Sequence, residues 1–327
     1  VALRLGGASG LASLMARRCG GAGAILRFEQ VRPARRNGFH PRRAHEITPE
    51  FLDRAIAAIK RWKLDIVSID EACRRAAAPR APRRFVCLTF DGATADFMAH
   101  AYPLLARHGV PFTVYVATAF ADGVGEAWWL ALEQLIARND RVALVMDGED
   151  CRFEMPEAGQ KLQLYDVLAG WLRKLPPADL SAAIHDLCKR YAVDLASLSH
   201  EAFMDWNDLA SLGADPLATL GCATVNYLLL QNLDDAAALR EMSMGRAVAE
   251  AALHRNVSHF AYPFGDRASF GDRHVMLAKQ AGFASAVTAV PGVVQADGGS
   301  DPHALPRIPW DGRIRSLAVL RAMLSGL

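Results

Sequence analysis

Three segments place side chains that can bind a ligand or move a proton directly after apolar runs. CLTFDGATADF carries Asp91 at the end of a continuous apolar stretch. LGCATVNY carries Cys222 to Tyr227, and FAYPFGD carries Tyr262, Pro263, Phe264, Gly265 and Asp266. Downstream, LPRIPWDGR adds Arg307, a partner in charge for Asp91. In a parallel α/β protein the carboxyl ends of the strands are where a site is built. Any one of these segments alone reads as an ordinary strand-to-loop turn. In this order, together, they read as one site.

Such a site needs strands to carry it, and the patterning supplies them. Short apolar strands are predicted over residues 24–28 and 65–70, and in RFVCLTF, PFTVYVA, LATLGCATV, SHFAYPF and ASAVTAV. RFVCLTF is continuous enough to be buried on both faces. Helices are predicted between them. In ITPEFLDRAIAAIKRW, Thr48 is a good N-cap, and Pro49 suits the first turn because its missing N–H would be unpaired there anyway. Leu52, Ile56 and Ile59 follow at helical spacing. Further helices are predicted over DEACRRAAA, over 96–107 with Pro103 dividing it, and over DDAAALREMSMGRAVAEAAL, DRHVMLAKQAGF and SLAVLRAMLSGL. This alternation predicts a parallel sheet with helices outside, open or closed into a barrel. Residues 123–215 break the pattern and read as a mainly helical insertion within a single domain spanning 1–327.

At 327 residues, with 52% hydrophobic and 22% charged, the chain supports a full globular core and is no disordered polymer. A formal charge of +2 gives no whole-protein drive toward nucleic acid or acidic lipid. The Arg-rich stretch between Arg27 and Arg43 reads as a solvated loop, with Phe39 the lone aromatic of VRPARRNGFHPRR. Cys19, Cys73, Cys87, Cys151, Cys188 and Cys222 form no CxxC pair, which excludes a zinc ribbon, argues against a disulfide framework and suits the cytoplasm. Leu11 to Ala16 is a short apolar patch broken at Arg17-Arg18, unlike an export signal, and no apolar run reaches the length of a membrane span. Phosphate-cradling, dinucleotide-binding, GxSxG and HExxH motifs are absent, and no two histidines form an HxxxH pair.

The stretches FVCLTFDGATADFMAHAYPLLARHGVPFTVYVAT and HFAYPFGDRASFGDRHVMLAKQAGFASAVTAVPGVV resemble the polysaccharide deacetylases with NodB homology, in particular the branch labelled chitooligosaccharide deacetylase. The resemblance runs from about Ile25 to Arg313. It implies a distorted (β/α) barrel of about seven parallel strands and hydrolysis of the acetamide of N-acetylated sugars. It also implies a divalent metal, commonly zinc, which helps to deprotonate water and to stabilise the developing oxyanion. The family's TFDD motif supplies a general base and one ligand, and its HxxxH motif supplies two more.

The chain departs from that set at each ligand. Gly92 stands at the metal-binding carboxylate, Ala223 and Tyr227 stand at the two histidines, and Glu29 replaces an early histidine. Asp91 keeps the base position, and Ala261 matches the branch resembled. His303 is a candidate for the general acid. The expectation is therefore a barrel with no bound metal and no other cofactor, and with catalytic positions reduced to Asp91 and Arg307. Its substrate-binding surface would comprise Tyr227, Tyr262, Pro263, Phe264 and Asp266, and its partner would be an N-acetylated oligo- or polysaccharide. Two alternatives stand beside it. One is a metal-independent hydrolase built on Asp91, with Cys222, Tyr227, Tyr262 and Asp266 around it. The other is an interaction protein exposing an apolar patch.

Overall fold

The computed structural model describes residues 21–35, 38–79 and 83–326. The Leu11 to Ala16 patch and Cys19 lie outside them. The first described elements are β1 (Gly23–Phe28) and a minor parallel pair, β2 (Gln30–Val31) and β3 (Glu46–Ile47). Next come α1 (Pro49–Arg61), β4 (Asp65–Val67), α2 (Ile69–Ala77) and β5 (Phe85–Asp91). The Thr48 hydroxyl accepts from the Phe51 N–H and caps α1, as Ser68 does for α2 by accepting from Glu71. That cap makes the predicted strand over 65–70 stop at Val67. The predicted 96–107 helix is likewise two pieces, a wide π turn over Phe97–Ala101 and α3 (Tyr102–His108), with Pro103 in the first turn of α3.

After β6 (Phe112–Val116) and the short α4 (Thr118–Ala121), the chain leaves the barrel. It forms α5 (Trp128–Arg138), a hairpin of β7 (Arg141–Met146) and β8 (Glu149–Glu154), then α6 (Ala158–Leu172), α7 (Pro177–Arg190) and α8 (Leu195–Ala202). These elements share a core of their own that includes Leu132, Leu135, Ile136, Leu144, Leu168, Leu172 and Ile184. The hairpin is the one strand pair within a region expected to be mainly helical, and no sequence signal was used to place it there. Asp147 and Gly148 both take positive φ, as a two-residue hairpin turn requires. The next helix, α9 (Trp206–Gly213), packs Leu209 and Leu212 into the barrel's outer core rather than into the insertion.

The chain then completes the barrel with β9 (Ala218–Cys222), α10 (Asp235–Leu253), β10 (His259–Ala261), α11 (Asp272–Gln280), β11 (Ser285–Pro291), β12 (Leu305–Pro309) and α12 (Leu317–Leu324). The strands run β1–β12–β11–β10–β9–β6–β5 and back to β1, every pairing parallel. Among the described residues this is a closed seven-stranded β/α barrel, with β4 added beside the early half of β5. No helix of the described residues is long and apolar enough to cross a membrane.

Strand alternation decides what enters the barrel. Ile25, Cys87, Tyr115, Ala223, Ala261, Val287 and Leu305 pack together inside it. Their neighbours Leu26, Leu88, Phe90, Val114, Leu220 and Ile308 face the helices. Large and small residues interlock in the interior, with Gly23 beneath the Phe85 ring and Gly221 against Tyr115. A Cβ at Gly221 would lie 2.5 Å from a Tyr115 ring carbon and 2.9 Å from the His259 carbonyl oxygen, so Gly221→Ala must displace ring or strand. The substitution is expected to cost about 1–3 kcal/mol, read as a lower urea midpoint at unchanged slope. An unchanged midpoint would show an interior looser than this packing.

Candidate functional site

The parity that fills the barrel also brings three charges to its carboxyl end. Arg27 is the penultimate residue of β1, Asp91 the last of β5, and Arg307 lies in β12. Arg307 donates from both terminal nitrogens to Asp91, to Oδ1 at 2.6 Å and to Oδ2 at 2.8 Å. The Arg27 Nε donates to Oδ2 at 2.5 Å. Arg307 is fully buried and Asp91 is 4% exposed. The remaining Arg307 bonds go to the Thr288 carbonyl at 2.5 Å and the Thr89 hydroxyl at 3.1 Å, and its guanidinium lies 5.7 Å from the Tyr115 ring centre. Burial alone would raise the Asp91 carboxyl. The Coulombic pull of Arg307, then of Arg27, overrides it and holds the group below its ordinary value.

Arg27 reaches outward as well, to Glu29 at 2.8 Å. Glu29 in turn accepts from His45 at 2.7 Å and faces Arg42 at 3.6 Å. Burial pushes Glu29 up, but Arg27 and His45 pull it well below the carboxylate range. Arg42 lies 5.6 Å from the centre of the Trp129 ring. Farther along the loop, Arg35 pairs with Glu46 at 2.8 Å and Glu133 at 2.5 Å, and Arg32 with Asp96 at 3.3 Å. Among the described residues of the Arg-rich stretch, Arg27, Arg32, Arg35 and Arg42 are ion-paired, which corrects the reading of a solvated loop for them, while Arg43 is exposed. Phe39 joins the insertion's core.

Above these charges opens a cavity of about 480 Å3. Its floor includes Arg27, Glu29, Asp91 and Gly92, and its walls include Trp128, Trp129, Tyr165, Phe203, Tyr227 and Phe264. Trp129 is the hub, with ring centres of Tyr227 at 5.8 Å, Phe120 at 5.8 Å and Phe264 at 6.4 Å. Arg173 lies 4.7 Å from the Phe264 ring centre and pairs with Asp266 at 2.5 Å. A second cavity of about 260 Å3 adjoins it across Trp128, Arg173, Tyr227 and Phe264.

The loops that present these groups are strained. Ala93, Thr224, Tyr227 and Phe264 all take positive φ, uncommon outside glycine and an outlier for a β-branched residue. Glu241 holds the loop after β9, accepting from the N–H groups of Val225 and Asn226 and from the Asn226 side chain. The Tyr227 N–H donates to the Thr224 hydroxyl, and its own hydroxyl accepts from the Phe264 N–H at 3.4 Å. Burial and then the charge of Asp91 push the Tyr227 phenol up to about 12, so it stays protonated at neutral pH.

Of the residues singled out from sequence, Asp91, Gly92, Tyr227, Phe264 and Asp266 line the cavity. Arg307 lies beneath it, on Asp91. Ala223 is buried among the barrel-interior residues, with Tyr227 packed against that cluster. Tyr262 and Pro263 are not on the cleft. Tyr262 stacks on Phe270 at 4.3 Å behind the barrel wall and donates to the His303 carbonyl. Pro263 is buried and does not line the cavity. Cys222 also faces outward, beneath α10, with its thiol pushed up to about 12 by burial. His303 bonds to the Phe283 carbonyl at 2.9 Å, outside the cleft. Arg27 was missed as a site residue, although an arginine inside the apolar strand GAILRF calls for a buried partner. Trp129, Phe203 and Tyr165 arrive from the insertion and carry no sequence signal of their own.

The donor set does not fit the divalent metal that the resemblance implies. Gly92 and Ala223 offer no donor atom, and Tyr227 keeps its proton. Asp91 accepts three guanidinium N–H bonds, leaving about one of its four lone-pair sites. Among the described residues no three His, Cys, Asp or Glu side chains gather to hold an ion.

Neither a protein-family model nor a curated protein matches the chain. Solved structures do. The Streptococcus pyogenes deacetylase PplD, solved in complex with acetate, is 16% identical, with a TM-score of 0.60 over 92% of this chain and 97% of that one. IcaB from Ammonifex degensii is 16% identical, with a TM-score of 0.57 over 93% and 98%. A de-N-acetylase from Aggregatibacter actinomycetemcomitans is 11% identical, with a TM-score of 0.58 over 91% and 98%. At these identities the likeness is one of fold, and the chain shares the barrel of these deacetylases.

The buried cluster makes a prediction with a definite sign. Asp91 titrates lower in the folded state, so its stabilisation is present above the unfolded carboxylate pKa and is lost as pH falls through the folded one. Asp91→Asn leaves two guanidiniums without their shared anion and is expected to cost about 3–5 kcal/mol at pH 7. The gap between wild type and variant should narrow below about pH 4. Denaturant titrations at pH 7 and pH 3 measure both. A variant as stable as wild type at pH 7 would contradict the assignment.

Proposed function

We propose that this chain is a polysaccharide-deacetylase-like barrel that binds an N-acetylated oligo- or polysaccharide in its cleft and no longer carries out metal-dependent deacetylation. The observation that carries the reading is the clamp on Asp91. A general base must receive a proton from water held near the substrate. Here the carboxylate oxygens already accept from Arg27 and Arg307, and the charge is held on by those same partners. The clamp speaks equally against a metal-free hydrolase built on Asp91. Positions Gly92, Ala223 and Tyr227 add nothing that would restore the lost ligands.

Binding is what the cleft is equipped for. Its aromatic wall offers ring faces for the apolar face of a sugar, with Trp129 only partly buried at its centre. Its floor mixes guanidinium and carboxylate in near balance, which favours a neutral ligand rich in hydroxyl and amide groups over a highly charged one. Tyr227 contributes a neutral hydroxyl. Asp266, held by Arg173, is an acceptor at the rim. The likeness in fold to deacetylases supports the ligand class, and the chitooligosaccharide branch is the proposed specificity. Among the described residues Cys73, Cys87, Cys151, Cys188 and Cys222 are free thiols, which is compatible with the proposed reducing, cytoplasmic setting.

Calorimetric titration with chitooligosaccharides, alongside an acetate assay, tests the reading. Saturable binding without acetate release is expected. Trp129→Ala should weaken binding at least tenfold, about 1.4 kcal/mol, with the circular dichroism spectrum retained. Acetate release that a chelator abolishes would overturn the reading.

A further inference from the structure

The β7–β8 hairpin carries an open sheet edge. Its two-residue turn closes on Met146 opposite Glu149, which sets the ladder from that pair onward. Met146 with Glu149, Leu144 with Cys151 and Val142 with Phe153 exchange hydrogen bonds, and the pairs between them turn their backbone groups outward. On β7 the outward groups at Ala143 are covered, since its N–H donates to the Tyr191 hydroxyl at 2.6 Å. On β8 the outward residues are Asp150, Arg152 and Glu154. Among the described residues no backbone carbonyl outside the hairpin accepts from their N–H groups.

The side chains follow the same period of two. Cys151 and Phe153 lean on the insertion's core, whereas Asp150, Arg152 and Glu154 are exposed. Glu154 pairs with Arg141 across the hairpin at 3.2 Å. Asp150 and Arg152 make no ion pair among the described residues.

An unpaired edge is a template for another strand, and charged side chains ordinarily keep strands off it. The charges of β8 do so selectively. When β8 meets a second β8 antiparallel about a two-fold axis, centring on Asp150 or on Arg152 sets like charges face to face. Centring on Phe153 sets Arg152 against a Glu154 that Arg141 already holds, and runs Asp150 onto Pro156, which has no N–H to give. Centring on Cys151 sets each Asp150 against the partner's Arg152. That register makes two opposite-charge pairs from the two uncommitted charges, and it lets their outward backbone groups exchange hydrogen bonds.

We propose that the β8 edge is a self-association surface, which joins two copies of this chain into a four-stranded antiparallel sheet with the axis at Cys151. The surface lies on the insertion, and neither β7 nor β8 lines the aromatic cleft, so the proposal does not rest on what the cleft binds.

Sedimentation equilibrium of the full chain over a concentration series tests this, and a monomer–dimer equilibrium is expected. Arg152→Asp should weaken the dimer at least tenfold with the melting temperature retained. Adding Asp150→Arg to that variant should restore the dimer, because the two charges then meet with their signs exchanged. In this register the Cys151 Cα atoms of the two copies lie about 4.5 Å apart. A short bis-maleimide should therefore link Cys151 to the partner's Cys151, and Cys151→Ser should abolish the link. A chain that stays monomeric at every concentration would overturn the proposal. So would a dimer that Arg152→Asp leaves intact, that the charge exchange fails to restore, or whose cross-link survives Cys151→Ser.

Discussion

One buried carboxylate between two guanidiniums organises this molecule. The barrel closes where β1 inserts between β12 and β5, and Arg27, Arg307 and Asp91 come from those three strands. The ion cluster is therefore also the tie across the closure. Its charges could not be buried singly, because removing an isolated ion from water costs far more than packing returns. Bidentate geometry, the Thr89 and Thr288 acceptors and the Tyr115 ring around Arg307 let them be buried together. With the cluster in place, the barrel's upper end is filled by protein charge, and what lies above it is a cleft with a fixed electrostatic floor.

The positive charge at that floor belongs to the chain. Arg27 bridges Asp91 and Glu29, and Glu29 draws in His45 and Arg42. A permanent cation on a strand needs no ligand set, and it cannot exchange or deprotonate under ordinary conditions. It also cannot hold and activate water as an open metal site does. The same network carries the Arg-rich loop against the insertion, whose aromatic side chains wall the cleft. Strained turns at Ala93, Thr224, Tyr227 and Phe264 aim the remaining groups, and the bonds from Glu241 and Thr224 hold part of that strain in place.

Much of the barrel was legible because its strands are short apolar runs and its helices carry clear caps, as at Thr48 with Pro49. What failed had physical causes. Ser68 reads as a strand residue until its hydroxyl is seen to cap α2. The β7–β8 hairpin lies in a region dominated by helical periodicity, although Asp147-Gly148 was a turn signal in plain view. At the site, the period of two sorts right from wrong. With Ala223 and Ala261 facing in, Cys222 and Tyr262 must face out, so neighbours in one motif land on opposite sides of the barrel wall. The pairing of Arg307 with Asp91 was foreseeable from charge and position. Arg27 was hidden because its two partners lie 64 and two positions away and only barrel closure brings the first of them near. The aromatic wall was hidden because it is built by tertiary folding of the insertion over the strand ends.

A guanidinium pair, and not a divalent ion, neutralises Asp91. Crystals of the protein soaked in zinc, with diffraction collected on both sides of the zinc absorption edge, test it most directly. No anomalous peak is expected within coordinating distance of Asp91, with both arginine contacts intact in the same maps. A stoichiometric peak there, with Arg27 swung away from the carboxylate, would contradict it.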